Sequence, residues 1–493
     1  MDTDLDLVNL GRRKFVHGLS FLSLSALSVS LFTGGCESWI DAIRNRPTRR
    51  MIRNTTAANH QIDIYRNAVA QMNALSTSDA RNWNKQASIH NNFCPHGNWF
   101  FFPWHRAYLF HFEKICQKLT GETQFGLPYW NWGLDGHLPA QFWEPPAGNS
   151  LYDSTRVCTA TSVADSGAVG SALIDGFCNE PNFTLFAGGT TSGLRTGGGS
   201  FGNIEATPHN YIHGTFILGD MGTYMSPLDA IFWNHHCMVD LCWFEWNITR
   251  RHPNTGDAAW TNFNLSGMFC DADGNPAPDM ALWVTELMPL LSYQYETGIA
   301  GTPVPLIKAM RVKSEFARMQ EIVKKGANIS LQIKQRFTLK ESVEISVQKP
   351  SSATITVNTQ DFTRIFTSNA AERALLIVRQ LAQPARSDVF LRVFINKPDA
   401  DAKTPREDPH YAGSFYFFVH GGDVAGMEAM RNDWIVDITP TLKKLGPTGG
   451  DLNTITINLV AVPAGEGTTP NTTLSAAGLD IVISPLNIRL MEY

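Results

Sequence analysis

Two groups of three histidines constrain this chain more than any other feature: His90, His96 and His105, and then His209, His213 and His236 about a hundred residues later. Three imidazoles hold one metal ion and leave positions open for a small ligand, and imidazole suits copper, zinc, iron and nickel. A fold that joins the two groups therefore builds a dinuclear centre from distant segments. His209 and His213 stand four residues apart, so on a helix both rings leave one face. His236 is expected from a second helix, and of the adjacent His235 and His236 only one can point at a metal from a given face. Asp240, one turn on, is placed to accept the far N–H of an imidazole. Neither group contains a carboxylate, whereas a hydrolytic zinc pair is expected to include bridging ones.

The surroundings narrow the metal. Phe102-Pro-Trp-His-Arg106 and Phe232-Trp-Asn-His-His-Cys-Met-Val-Asp240 occur together, in order. Over roughly residues 50 to 300 the chain resembles the type-3 copper family of tyrosinases and catechol oxidases. The resemblance implies a coupled pair of copper ions that binds O2, and it makes His236, not His235, the ligand. It also implies that Cys94 is joined to His96 by a thioether, as in fungal members. Glu205 falls where plant relatives place the acid that holds a water above the coppers. Asn210 is the type of residue that helps polarise that water. Tyr224 or its neighbour Thr223 occupies the substrate gate, and Gly214 is expected to leave the opposite wall open.

The implied activity is copper-dependent oxidation of phenols by O2 to o-quinones, through ortho-hydroxylation of monophenols and oxidation of o-diphenols. Two alternatives remain: oxidation of catechols or o-aminophenols alone, and, from another class, O2 binding like that of haemocyanin. The expected partners are O2 and phenolic or catecholic small molecules. A net charge of −5 with scattered basic residues gives no nucleic-acid footprint. The other histidines, His60, His111, His137, His252, His410 and His420, read as structural.

Residues 1–36 carry Arg12-Arg13 before an apolar run from Val16 to Phe32, which resembles a twin-arginine export signal. Thr33-Gly-Gly-Cys36 offers a lipid attachment site, and no segment reads as a membrane span in the mature chain. The expected location is periplasmic or extracellular, with oligomeric state open. Eight cysteines permit disulfides, with Cys158 and Cys178 the favoured pair and Cys237 and Cys242 read as packing residues.

The expected fold is α + β and multidomain. Residues 40–300 form a dicopper catalytic domain, with helices at 59–75, 104–119, 207–218 and 228–249 making an antiparallel four-helix bundle. Residues 131–203 read as long loops, with the Gly-rich run 188–202 mobile. Tyr293-Gln-Tyr295 resembles the motif that closes the catalytic domain in plant relatives. Residues 301–327 read as a linker. Residues 328–493 alternate with period two, which predicts an antiparallel β-sandwich or barrel. Within it, Tyr411-Ala-Gly-Ser-Phe-Tyr-Phe-Phe-Val-His420 resembles a segment of the plant polyphenol oxidase C-terminal domain, which covers the copper site; an aromatic from Phe415 to Phe418 is expected to plug the cavity.

Overall fold

The computed structural model describes residues 45–53, 55–143, 147–305, 309–325, 331–366, 371–384, 386–419, 431–446, 453–464, 470 and 472–486. The expected export signal, with Arg12, Arg13 and Cys36, lies outside the described residues, as does His420. No helix among them is long and apolar enough to cross a membrane.

Helix α1 (Thr56–Ala74) starts where the Thr55 side chain accepts the Ala58 N–H, and it buries Ile62, Tyr65, Val69 and Met72 at helical spacing. Helix α2 (Trp83–Phe93), absent from the sequence expectation, is capped by Asn82 and carries His90. Helix α3 (Phe101–Thr120) carries His105 and ends at Gly121, whose φ of 78° is a left-handed cap that glycine adopts without strain. Helix α4 (Ile231–Phe244) is buried throughout and carries His236. Phe112 of α3 stacks on Trp233 of α4, and the Tyr65 hydroxyl of α1 donates to the Ala230 carbonyl at 2.6 Å.

The helix expected at 207–218 is not a regular α-helix. It consists of two π-helical turns, Glu205–His209 and Ile212–Ile217, with Pro208 inside the first. Proline has no N–H to give the helical ladder, and the widened turns leave both imidazoles on one side. The bundle expected from four regular helices is corrected accordingly.

Two short parallel strands, β1 (Thr48–Arg49) and β2 (Gln294–Tyr295), tie the start of the catalytic region to its end. The stretch expected as a linker contains helix α5 (Ala309–Lys325). Val312, Met319 and Ile322 are buried, and Arg311 and Arg318 donate to the carbonyls of Ile248 and Asn247. These cations neutralise the carbonyl end of the helix that continues α4, so α5 packs as part of the catalytic region.

Beyond residue 331 the period-two pattern becomes ten strands among the described residues: β3 (Gln335–Leu339), β4 (Val343–Ser346), β5 (Ser351–Thr356), β6 (Glu372–Ala382), β7 (Val389–Ile395), β8 (Tyr411–Phe415), β9 (Arg431–Asp437), β10 (Thr454–Pro463), β11 (Thr473–Ala476) and β12 (Gly478–Pro485). They form two antiparallel four-stranded sheets, ordered β5-β10-β7-β8 and β3-β12-β6-β9, and a small β11-β4 pair. Leu391, Val393 and Leu459 of one sheet share a core with Leu376, Val378 and Ile481 of the other. Neither sheet closes on itself among the described residues, so the arrangement is a sandwich and not a barrel.

The Gly-rich run expected to be mobile is pinned. Gly189 donates to the Ser200 carbonyl, Gly198 to Arg431, and Phe201 to Asp433, while Asp433 donates to Gly199. The run thereby adds to the edge of β9, and Phe201 stacks on Trp434. A Cβ on Gly199 would lie 2.5 Å from the Gly97 carbonyl, so glycine there serves close approach rather than freedom.

Candidate metal centre

All six predicted histidines meet in one buried place, none more than 2% exposed. His90, His96 and His105 form one group and His209, His213, His235 and His236 another, with potential ligand atoms within 4.8 Å of each other in each group. The groups adjoin: the His105 and His236 rings stack at 4.4 Å, and the His96 and His209 rings lie 5.4 Å apart.

Partners on Nδ1 set the tautomers. His90 Nδ1 donates to the Tyr224 carbonyl at 2.8 Å, His105 Nδ1 to Phe101 at 2.7 Å and His213 Nδ1 to Met221 at 2.8 Å. His96 Nδ1 donates to Glu205 Oε1 and His209 Nδ1 to Asn210 Oδ1, both at 2.9 Å. With the proton on Nδ1, each Nε2 keeps its lone pair for a metal. The Nε2 atoms of His90, His105 and His209 are buried without a hydrogen-bond partner among the described residues. The Nε2 atoms of His213 and His236 stand 3.2 Å apart. Buried acceptors without donors are costly, and a cation among them satisfies them, so the donor set fits a metal pair. Burial lowers the pKa of His105 and His213 to about 3 and holds His90, His209 and His236 well below the usual range, which keeps the rings neutral as metal binding requires.

His235 differs. The Trp132 indole can only donate, and it donates to His235 Nδ1 at 3.1 Å. The neutral ring therefore carries its proton on Nε2.

Glu205 is 1% exposed, and its Oε1 also accepts the Gly97 N–H at 2.9 Å. Burial raises its pKa, with the Gly97 contact opposing. Its Oε2 has no hydrogen-bond partner among the described residues. Asn210 is doubly engaged, because its Nδ2 donates to the Tyr416 carbonyl at 2.8 Å. Cys94 is a buried thiol at the end of α2, and burial raises its pKa well above the ordinary value.

Several expectations are corrected. Asp240 does not accept from an imidazole; Arg106, Arg49, Tyr293 and Tyr295 all donate to its carboxylate. Burial would raise its pKa, but Arg106 and Arg49 hold it below the usual range. Arg49 also pairs with Glu113 at 2.9 Å, giving a buried network of two cations and two carboxylates beneath the centre. The signals for it were the Arg after His105 and the Tyr293-Gln-Tyr295 motif. Gly214 does not open a wall: a Cβ there would meet the Phe417 carbonyl of the β domain. Cys158 and Cys178 are both free, and Cys178 instead contacts the Cys242 carbonyl on α4 at 3.7 Å. Tyr224 is 2% exposed and lines the centre, while Thr223 beside it is half-buried.

The aromatic segment after β8 alternates. Phe415 and Phe417 point into the β core with Trp434, whereas Tyr416 and Phe418 point into the catalytic core. The Phe418 ring lies 4.5 Å from His213, 5.1 Å from His96 and 5.9 Å from His209, and stacks on Tyr224 at 5.0 Å. It therefore covers both groups.

Comparison with known proteins matches two separate stretches of the chain. The common central domain of tyrosinase matches residues 66–169 and 144–249, and the chloroplastic polyphenol oxidase C-terminal domain matches residues 337–474. A tyrosinase of Hahella sp. is 30% identical over 47% of this chain, an alignment that spans only 59% of that relative. The latent chloroplastic polyphenol oxidase of Prunus armeniaca is 25% identical over 80% of this chain and 70% of its own length. A solved latent aurone synthase (polyphenol oxidase) shares the fold, with a TM-score of 0.64, 21% identity and 90% of each chain covered. The two-domain arrangement is thus that of the plant-type proteins, which corrects the bacterial-type expectation for these domains.

Proposed function

We propose, for a chain that is an oxidoreductase of the tyrosinase and polyphenol oxidase type with a paired copper centre, that it oxidises phenols by O2 to o-quinones, hydroxylating monophenols and oxidising o-diphenols. His90, His96 and His105 hold one copper, and His209, His213 and His236 the other. The observation that carries this reading is the convergence of buried Nε2 atoms whose rings are locked through Nδ1. Bound copper supplies the oxygen and electron chemistry that no side chain provides.

The chain's own residues do the rest. Phe418 marks the place of a planar ring, stacked on Tyr224 and facing His213. A phenol has a pKa of about 10, so hydroxylation needs help in removing its proton. Glu205 Oε2, buried and without a hydrogen-bond partner among the described residues, is the atom to hold a water or take that proton. Asn210 orients His209, and Trp132 keeps His235 out of the ligand set. A bond from Cys94 Sγ to a ring carbon of His96 would fix that ring further; it replaces an S–H and a C–H, with O2 as the oxidant that takes up the two electrons and two protons, so the peptide should be about 2 Da light and resist reduction.

While Phe418 occupies the ring position, the β domain restrains turnover. Export through residues 1–36, with Cys36 as an anchor point, is part of the same proposal and rests on sequence; relatives spanning both domains are named chloroplastic.

The test is metal analysis with oxygen uptake on 4-methylcatechol and 4-methylphenol. Two coppers per chain and turnover of both substrates are expected. Turnover of the catechol alone would leave a catechol oxidase, and reversible oxygen binding without turnover would leave a carrier.

A further inference from the structure

Six arginines are buried among the described residues: Arg46, Arg49, Arg106, Arg156, Arg318 and Arg373. Five of them pair with a carboxylate: Arg49 with Glu113, Arg106 with Asp240, Arg156 with Asp229, Arg318 with Glu315 and Arg373 with Glu180. Arg46 is 4% exposed and pairs with no carboxylate among the described residues. Its Nη1 donates to the Leu290 carbonyl and, at 3.3 Å, to the Pro289 carbonyl in the short helix Met288–Leu291. Its Nη2 reaches Gln294 Oε1 at 3.4 Å, and its Nε–H has no acceptor among the described residues. Burial, with no negative charge opposing it, lowers the pKa of this guanidinium to about 10. A buried cation without a counter-charge is costly, and the fold supplies one to each of the other five.

Arg46 opens on a cavity of about 240 Å³ beside the β1–β2 pair. Arg46, Thr48 and Arg50 alternate along the chain through β1 and all line it, while Arg49 between them turns the other way into the Asp240 network. Gln294 Nε2 donates to Thr48 Oγ1 at 3.0 Å, which leaves the Thr48 hydroxyl its own proton to give to a ligand. Glu296 also lines the cavity, but Arg50 at 2.9 Å and Arg53 at 2.8 Å already hold its carboxylate. Three guanidiniums thus stand against one carboxylate. The rest of the wall is apolar, from Phe244 at the end of α4, Tyr295, Pro289, Val304 and Pro305.

We infer that this cavity binds a small monocarboxylate with a compact apolar body, about the size of a six-membered ring. Its oxygens accept from Arg46 Nε and Thr48 Oγ1, and its body rests on the apolar wall. A carboxylate takes two donors at once and matches a guanidinium better than a spherical ion does. A bare phosphate would answer the charge and leave water against the apolar wall, whereas an acid carried on a ring serves both parts of the cavity. β1 and β2 tie the start of the catalytic region to its end, so a ligand seated beside them stabilises the folded chain. The inference does not depend on the copper chemistry.

The competing account is that Arg46 only caps the carbonyls of Met288–Leu291 and that the cavity holds water. A cap gives Arg46→Gln a lower unfolding midpoint whether or not a ligand is present, and it gives no saturable binding.

The experiment titrates the copper-loaded full-length chain by calorimetry with cyclohexanecarboxylate, its uncharged amide and inorganic phosphate. The acid should bind once per chain with a Kd on the order of 1 mM or tighter, and should raise the unfolding midpoint. Amide and phosphate should each bind at least about tenfold more weakly, the size of one charge-assisted contact. Arg46→Gln should weaken the acid by about the same factor and leave the amide unchanged. Val304→Trp fills the cavity from a half-buried position without touching the cation, so it should abolish binding at unchanged copper content even where the Arg46 variant does not fold. Binding that survives both variants belongs elsewhere, the copper centre included, and overturns the assignment. Absence of binding to the unmutated chain overturns it too, as does phosphate binding as tightly as the acid.

Discussion

The two groups of imidazoles are held from different sides. His90, His96 and His105 are oriented by Tyr224, Glu205 and Phe101, all within the catalytic domain. The segment bearing His209 and His213 is bonded across the domain boundary: Asn210 donates to the Tyr416 carbonyl, Tyr416 donates to the Ala206 carbonyl, and Gly214 lies against Phe417. The first group therefore belongs to one folding unit, and the second is finished by contacts from the β domain. Its π-helical turns carry a proline and lean on β-domain backbone for support. One consequence is that access and metal retention are coupled at the second group and separable at the first.

The sharpest way to break this comparison is to remove one ligand from each side. His105→Ala and His236→Ala should each lose one copper and all oxidation, as metal analysis and oxygen uptake would show. Release of the β domain by a cut between Lys325 and Leu331 should then speed chelator removal of the remaining copper several-fold in His105→Ala, where it sits on the second group. In His236→Ala the same cut should change it little. Equal rates in the two variants would mean that both groups are held alike. The cut lies beyond α5 because that helix buries Val312 and Met319 in the core of the catalytic region.

A smaller effect sharpens the same point. Asn210→Leu removes the acceptor of His209 and the bond to Tyr416, whereas Glu205→Gln alters the acceptor of His96 and leaves the boundary intact. Both should slow phenol hydroxylation more than catechol oxidation, by about tenfold, the low end of what a positioned proton acceptor contributes. Only Asn210→Leu should weaken copper at the second group. Equal losses on phenol and catechol would assign both residues a structural role.

The smallest expected effect lies away from the boundary. Burial pushes Glu286 up to about 7, with its carboxylate accepting from Asn254, which in turn accepts the Trp243 indole N–H of α4. Between about 4.5 and about 7 the folded chain keeps a proton that the unfolded chain releases, so this group lowers stability as pH rises through that window. Glu286→Gln should raise the unfolding midpoint by a few degrees near pH 8, on the order of 1 kcal/mol or more, and do little near pH 4. A gain of equal size at both values would contradict the burial account.

The ligands were legible because a metal site needs particular residues at particular spacings, and His209 and His213 keep their common face even on a π-helical turn. What the sequence concealed was long-range. Asp240 is one turn from His236, yet two arginines and two tyrosines from distant segments outcompete an imidazole for its carboxylate. Glycine at 199 and 214 reads locally as freedom or open space, whereas both positions admit a neighbouring backbone. The lysines and arginines of 309–325 read as a linker because their apolar partners, spaced along one face, have nothing to pack on until the catalytic region is folded. The period-two signal gave the β domain but not whether its sheets close, since closure depends on edges that periodicity does not encode. The expected Cys158–Cys178 pair failed because loop position does not fix the direction of a thiol. The plug was confined to Phe415–Phe418 by the resemblance of that segment; alternation turns Phe415 and Phe417 into the β core and leaves Tyr416 and Phe418 on the catalytic side, and the ring contacts with His213 and His96 then pick out Phe418.

The most direct test of the account compares the full-length chain with Phe418→Ala at equal copper content, by oxygen uptake on 4-tert-butylcatechol. Both proteins should hold two coppers, and the variant should turn over at least tenfold faster, because only the ring covering the histidines has been removed. Equal turnover, or fewer than two coppers in the unmutated chain, would contradict a paired copper site closed by Phe418.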